Sequence, residues 1–469
     1  MNHTAPGRPT SAAGLSALRA AVAGPVLTPE DAAYATECTG HNLLHVPRPS
    51  VVVCATRTED VVAAVRFAAR HGMPVAVRNA GHQTVLPDTG DWLLITLRRM
   101  PDVVVDAERR TVTVGPGARW DHVLPETGRH GLAPACGSAP GVGVIGYTLG
   151  GGIGPLLSRR YGYAADHVRR MEVVTADGAV REVTPDGEPG LFWALLGCKG
   201  NFGVVTRMEF GVFPVRRFFG GGLWFRGEDT AHVLGVWRSL LEGLDERTTT
   251  SVAVQRLPPL PHLPPVLRGA FVLHVRVGHL GPAAEGEHLV APLRAAAPLL
   301  LDTLAERPHE EVGAIHVDPV RAAYVTETTV GLRELTAGTL AAYAELTGPD
   351  SGCPLSTVEI RALGGALDRE PPVPNSVPSR GIPFVTFAAG AGGPSDAARM
   401  TGPLAAYARR MAAWGDDRSI MNFLSPQAAR EEADVRRLFG GQRYDRLAAV
   451  KRRYDPGNMF RLNHNVRPA

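Results

Sequence analysis

The stretch Arg78-Asn79-Ala80-Gly81-His82 packs the most chemistry into the fewest residues of this 469-residue chain. It follows the apolar run Pro74-Val75-Ala76-Val77, so a strand delivers a small-residue turn that ends on a histidine. Gly81 and Ala80 let backbone N–H groups approach an anion closely, and Arg78 adds a fixed positive fork. That composition suits a pyrophosphate cradle, with an imidazole placed as a nucleophile beside whatever the phosphates carry. Taken alone it also fits an ordinary turn, so the rest of the chain must decide.

Two further glycine-rich segments bear on that decision. Gly141-Val142-Gly143-Val144-Ile145-Gly146 matches G-x-G-x-x-G literally, with Asp166 downstream. A dinucleotide-binding fold needs a buried strand before the first glycine and a helix starting within the motif. The preceding Ala135-Cys136-Gly137-Ser138-Ala139-Pro140 is no strand, and Tyr147-Thr148-Leu149-Gly150-Gly151-Gly152-Ile153-Gly154 is too glycine-rich to propagate a helix. The nicotinamide reading is set aside. Val142, Val144, Ile145, Leu149 and Ile153 interleave the glycines as anchors, which argues against a loose surface loop. Gly197-Cys198-Lys199-Gly200-Asn201-Phe202-Gly203-Val204-Val205-Thr206 repeats the theme before a strand. Three such segments suggest a long, extended cofactor lying across one domain.

The elements that must position these residues follow from the apolar pattern. Strands are expected at 51–55, 75–78, 93–97, 103–106, 111–114, 173–178 and 204–210, with a helix from Val61 to His71 capped by Thr58-Glu59-Asp60 and a short one at 191–196. Residues 1–28 hold one short helix at most. Beyond Val215 two Pro-dense stretches, 258–265 and 371–378, flank strands such as 271–277 and helices such as 289–304. This second region reads as an α+β domain, a sheet covered by helices on one face. Helices around 428–439 and 444–453 lead to a tail ending in Asn463-His464-Asn465, expected to fold back on a domain. The domain boundaries implied are 30–215, 216–418 and 419–469.

Composition excludes several functions. Lys+Arg at 49 against Asp+Glu at 46 leaves a net charge of +3, too balanced to advertise a nucleic-acid or membrane partner. The five cysteines are dispersed without disulfide or metal-ligand spacing, so no metal is expected. No run approaches the ~20 apolar residues that cross a bilayer, and a cytoplasmic protein is predicted.

Residues 49–214 and 422–468 resemble the FAD-linked oxidases of the vanillyl-alcohol-oxidase-like superfamily, in the berberine-bridge-enzyme-like branch. The matching pieces are Arg78 to His82, Gly137 to Gly154, Arg160-Tyr161-Gly162 with Asp166, Val174 to Gly178, Leu191 to Leu195 and Gly200 to Thr206. The tail adds Asn422-Phe423 and Tyr454 to Arg461. The middle domain matches only through Glu359 to Ala366. The resemblance implies an α+β fold with a PCMH-type, two-part FAD-binding domain and a substrate domain whose antiparallel sheet is covered by helices. It implies FAD attached covalently at His82, with pyrophosphate at Arg78, Asn79, Ala80 and Gly81. Pro140, Gly141, Val142, Gly143, Gly146, Gly150, Gly151 and Gly152 would line the flavin and ribityl chain. Gly200, Gly203, Val205, Asn463 and Asn465 complete the expected cofactor contacts.

Three departures from the family pattern matter. Doubly linked relatives carry a cysteine where this chain has Ala139, and Cys136 lies three residues out of register, ~10 Å in an extended segment. A single histidyl link is predicted, with Cys136 a small buried thiol. Many relatives place a tyrosine base two residues before the Asn-Phe pair; here that residue is Ile420, which cannot move a proton. Tyr147, Glu359, Arg361 and Tyr407 are the candidate substitutes, each also readable as packing or a solvated face. Lys199 stands where relatives have small residues; it is expected to face solvent, the alternative being a cation near the flavin. The resemblance implies hydride transfer from a small-molecule alcohol or secondary metabolite to FAD, with molecular oxygen as the second partner and peroxide as product. Alternatives are an oxygen-blind dehydrogenase, a redox-neutral cyclase, or a non-catalytic binding module without flavin.

Overall fold

The computed structural model describes residues 11–83, 90–426 and 428–469. Its architecture is α+β, with three sheets among those residues. In the first, Val51–Cys54, Leu93–Thr96 and Val75–Arg78 run parallel, and Val26–Leu27 adds an antiparallel edge. Parallel strands need covered faces, and the helix Thr58–His71 supplies one cover through Val61, Ala64, Val65 and Ala68. Gly72 ends that helix in the left-handed region, φ 63°, where glycine carries no Cβ penalty. The second sheet is antiparallel, ordered Val103–Asp106, Thr111–Val114, Val204–Gly211, Val168–Val174, Val180–Val183.

The middle of the chain forms a nine-stranded antiparallel sheet that opens with Arg217–Arg226 and closes with Gly415–Asp416. Alternation along its strands separates two faces. Phe225, Leu273, Val254, Val358 and Ala388 stand in one row across five strands and pack with Trp237, Val290, Leu293, Tyr343, Leu404 and Met411 from four helices. The neighbouring row, Trp224, His274, Ala253, Glu359, Phe387 and Thr329, points the other way. That second face lies against the FAD-like part: Thr249 Oγ1 donates to the Leu156 carbonyl at 3.3 Å, and Asp166 meets Arg380 at 2.7 Å.

Two local expectations are corrected. Residues 289–304 do not form one helix: it runs Ala283–Arg294, and Leu299–Asp302 is a strand pairing with Arg217–Arg226. Pro298 lacks the N–H needed to continue the helix and favours extended backbone before it. The glycine-rich run also does carry a helix, Val144–Leu149, six residues long and beginning after Gly143. No strand precedes it, and Asp166 is taken up by Arg380 and Asn375.

The tail returns as expected from its composition. Helices Glu432–Phe439 and Gly441–Tyr454 lead residues 455–469 back across the glycine-rich loop. Lys451, 0% exposed, donates from Nζ to the carbonyls of Asn201 at 2.6 Å and Phe460 at 3.0 Å and pairs with Asp455 at 2.7 Å. Asn201 in turn donates to the His464 carbonyl and accepts from Val466 N–H. Lys451→Ala leaves the Asp455 carboxylate buried without its cation, a loss of about 3–5 kcal/mol; a thermal melt should show the fall, and a wild-type midpoint would refute this role.

Candidate active site

The strand Val75–Arg78 delivers Arg78 inward, 5% exposed, with one Nη bonded to the Cys38 carbonyl while Nε and the other Nη have no partner. Burial, with Arg98 nearby, lowers its affinity for its proton to about 10, still cationic at neutral pH. Gly81 has φ 77° and approaches Gly40 so closely that a Cβ would sit 2.7 Å from Gly40 Cα. The Gly81 carbonyl accepts from His41 N–H at 2.9 Å. This brings the ring of His41 onto His82, stacked at 4.0 Å. Burial first, then the His41 charge, pushes His82 down to about 4, a hydrogen bond to the Gly141 backbone opposing them. His82 is therefore neutral near pH 7, its lone pair available to bond. Asn79 spans to the second segment: Nδ2 donates to the Ala118 carbonyl at 3.1 Å, and a Cβ on Gly143 would meet that amide at 2.7 Å.

The glycine-rich segments converge on the same space. A Cβ at Gly141, Gly146 or Gly200 would meet nothing within 4 Å, so these backbones border an opening. Gly150, Gly151 and Gly152 are buried; Asn422 Oδ1 accepts from Gly152 N–H at 3.1 Å and its amide donates to the Tyr147 carbonyl at 3.0 Å. Gly203 and Val205 stand apart from the opening: Gly203 packs on the Val174 carbonyl, and Val205 pairs with Val173 in the core. Asn463 donates to the Gly200 carbonyl at 3.3 Å, while its Oδ1 and that of Asn465 are buried without partners. Pro140 packs near Gly313, and Val142 and Ala80 are half-buried beside the opening. Cys136 is 4% exposed, and burial pushes its thiol up to about 12.

Lys199 corrects its expectation. Instead of facing solvent, it turns inward, donating from Nζ to Gln83 Oε1 at 2.5 Å and filling the space where a Gly150 Cβ would be. Burial pushes its ammonium down to about 7.

Across the opening stands the polar face of the large sheet. Glu359, 3% exposed, accepts from Arg276 at 2.6 Å and Arg361 at 2.9 Å, with His316 at 3.3 Å. Burial disfavours its charge, but Arg361 and Arg276 outweigh it and hold the carboxyl well below the usual range. Arg361 also lies 4.8 Å over the Phe423 ring, and its Nε is unpartnered. Tyr147 is 7% exposed, set edge-on to Trp120, its O–H unpartnered and its pKa driven well up by burial. Tyr407 is outside this group: it packs among the helices on the sheet's apolar face, its O–H bonded to Thr386. Ile420 is 0% exposed in the core.

Comparison with known proteins identifies the framework. The FAD binding domain family matches residues 49–184, and the family described as berberine and berberine like matches residues 421–467. The chain is an FAD-dependent oxidoreductase with a berberine-like segment near its C-terminal end. It is 28% identical to (R)-6-hydroxynicotine oxidase of Paenarthrobacter nicotinovorans over 464 residues, 95% of this chain and 97% of that one. The crystal structure of 6-hydroxy-D-nicotine oxidase from Arthrobacter nicotinovorans superposes with a TM-score of 0.80 at 26% identity, over 96% and 98% of the two chains. Chitooligosaccharide oxidase shares the fold, with a TM-score of 0.82 at 21% identity over 97% and 99%.

The residues of this berberine-like chain fit FAD. The partnerless donors of Arg78 suit a pyrophosphate, the open faces of Gly141, Gly146 and Gly200 leave room for a flat group, and the orphaned carbonyls of Asn463 and Asn465 accept N–H or O–H donors. His41, stacked on His82, and Gln83, bonded to Lys199, also belong to the opening and had no motif to mark them. Asn42 and the backbone bond from Ala323 to the His41 carbonyl hold the strand Tyr324–Leu332 beside His41.

Two outcomes follow from the charges. Glu359→Ala strands Arg276 and Arg361 and should cost about 3–5 kcal/mol in denaturant unfolding; an unchanged midpoint would show the cluster to be dispensable. His309 and His316 are pushed down to about 4 and His274 well below its usual value, burial leading in each. The unfolded chain takes up their protons near pH 6.5 while the folded one does not, so stability falls with pH below that point. Glu327, raised to about 7, opposes them, while His82 and the other histidines lowered by burial, His41, His45, His167, His279 and His464, act with them. Thermal midpoints should therefore drop between about pH 7 and about pH 5; a rise would contradict the assignment.

Proposed function

We propose that this oxidoreductase takes hydride from a small-molecule alcohol or related secondary metabolite, with FAD attached through His82 alone and molecular oxygen as the final acceptor, released as hydrogen peroxide. The observation carrying the tether is His82 itself: neutral, stacked on His41, and at the mouth of the opening between cradle and sheet. The relatives support the acceptor and substrate class, since the proteins this chain resembles are named as oxidases of a hydroxynicotine and of chitooligosaccharides. Ala139 supports a single link, because no thiol stands at that position and Cys136 is closed into the core.

Bound FAD supplies the two-electron acceptor. The protein's share is binding and orientation. Arg78 and the Gly81 turn would hold the pyrophosphate, Asn422 braces the glycine loop, and the sheet face with Arg361, Phe387 and Phe423 would present the substrate. Domains are assigned on the same basis: residues 30–215 and 419–469 hold the cofactor, and residues 216–418 hold the substrate.

Acid-precipitated protein should stay yellow and fluoresce at the chain's mass on a denaturing gel, while His82→Ala should release its flavin to the supernatant. A colourless wild-type pellet would sink the covalent link. Peroxide released with a panel of natural-product alcohols, oligosaccharides and 6-hydroxynicotine separates an oxidase from a dehydrogenase. Anaerobic turnover without flavin bleaching would instead mark a redox-neutral cyclase, which the loss of a phenol at Ile420 makes worth testing.

A further inference from the structure

With Ile420 aliphatic, Glu359 locked by two arginines, Arg361 itself a cation, Tyr407 behind the sheet and the Tyr147 phenol kept protonated by burial, none of the places sequence indicated offers a ready proton acceptor. The strand Tyr324–Leu332 offers another. One end is bound to the tether side: the Val325 carbonyl accepts from Asn42 Nδ2 at 2.8 Å, and the His41 carbonyl accepts from Ala323 N–H at 3.1 Å, beside the His41–His82 stack. The other end is bound to the glycine-loop side: Thr329 Oγ1 donates to the Phe423 carbonyl at 2.8 Å, next to Asn422. Val325 and Thr329 are about 13 Å apart along one face, and Glu327 is the residue between them on that face. A planar group attached at His82 and reaching Gly152 and Asn422 would run along this span.

We propose that Glu327 is the catalytic proton acceptor of this oxidoreductase, taking the substrate's hydroxyl proton as hydride departs to FAD. The proposal rests on FAD being bound with its ring at His82. In that step the substrate C–H pair of electrons leaves with the hydride to FAD, the O–H proton goes to the Glu327 carboxylate, and C–O becomes C=O. Solvent later removes the proton.

The surroundings suit the role. Glu327 has no hydrogen-bond or ion-pair partner among the described residues and is half-buried on the polar face of the sheet. Its cross-strand neighbour is Ala389, flanked by Phe387. One strand further lies Glu359 with Arg276 and Arg361; at the tether end of its strand are His41 and the stacked His82, and Lys199 lies on the glycine-loop side. Burial alone pushes the carboxyl up to about 7, so its anion is basic enough to take a proton in neutral water.

The test uses the flavin-loaded enzyme and the Glu327→Gln, Glu327→Asp and Lys199→Met variants. A yellow acid pellet from Glu327→Gln shows the tether and fold intact; a colourless one moves the comparison to Glu327→Asp, and a colourless wild type defeats the FAD reading instead. The bound flavin's absorbance, followed by pH titration without substrate, should shift near neutrality in wild type and in Lys199→Met, but not in Glu327→Gln. A break that disappears with Lys199→Met and survives Glu327→Gln overturns the proposal. Anaerobic flavin reduction by the best alcohol of the panel should rise with pH as Glu327 ionises. It should slow ~100-fold or more in Glu327→Gln, with its pH dependence flattened and partly restored by Glu327→Asp. Wild-type reduction rates and profile in Glu327→Gln would equally overturn it.

Discussion

The ammonium of Lys451 is buried completely and can stay charged only because three acceptors, one of them from a stretch 250 residues away, close on it. Asp455 belongs to the end of its own helix, the Phe460 carbonyl to the tail, and the Asn201 carbonyl to the glycine-rich loop far upstream. A desolvated cation is tolerable only with near-complete compensation. The tail must therefore return to that loop, and its return is what carries Asn463 and Asn465 to the cofactor opening. The inserted nine-stranded sheet separates these two halves in sequence, so this one charge joins what the insertion divides.

A second constraint acts from the sheet. Side chains alternate strictly, so register decides which row meets the helices and which meets the opening. The apolar row Phe225, Leu273, Val254, Val358 and Ala388 has a large burial advantage against four helices. Its neighbours, His274, Glu359, Phe387 and Thr329, are thereby forced toward the cofactor side. Polar residues in a sheet centre would ordinarily be costly. Here the Glu359 carboxylate is shared by Arg276 and Arg361, and the cluster also fixes the guanidinium of Arg361 over Phe423.

The parts legible in sequence were those whose chemistry is local. The strand ending at Arg78, the helix ended by Gly72 and the hairpin following Val174 each carry their own periodicity or turn residues, although Thr58-Glu59-Asp60 forms the first turn of the helix Thr58–His71 and does not cap it. The cradle Arg78 to His82 was visible because phosphate chemistry demands small residues and a cation side by side. Residues 289–304 misled because their apolar pattern continues through Pro298, where the backbone changes from helix to strand. Lys199 read as a surface residue, since a lysine on a glycine-rich loop usually is one; only the Gln83 contact turns it inward. Glu327 carries no motif at all. Its meaning comes from Asn42 and Phe423, which grip its strand from opposite sides of the opening, a relation between residues that sequence spacing cannot express.

Burial then acts on the ionisable groups of the opening in one consistent direction, toward the uncharged form. His82 is held neutral, Lys199 is moved down to about 7 and Glu327 up to about 7. Arg78 stays cationic at the cradle, and the Glu359 carboxylate keeps its charge by pairing with Arg276 and Arg361 at the far wall. A cleft that withholds net charge from its centre makes each remaining proton matter more, because nothing nearby screens it. Such a site favours a neutral substrate whose charge separates only during reaction, which is the circumstance in which a single unpartnered carboxyl can direct where the proton goes.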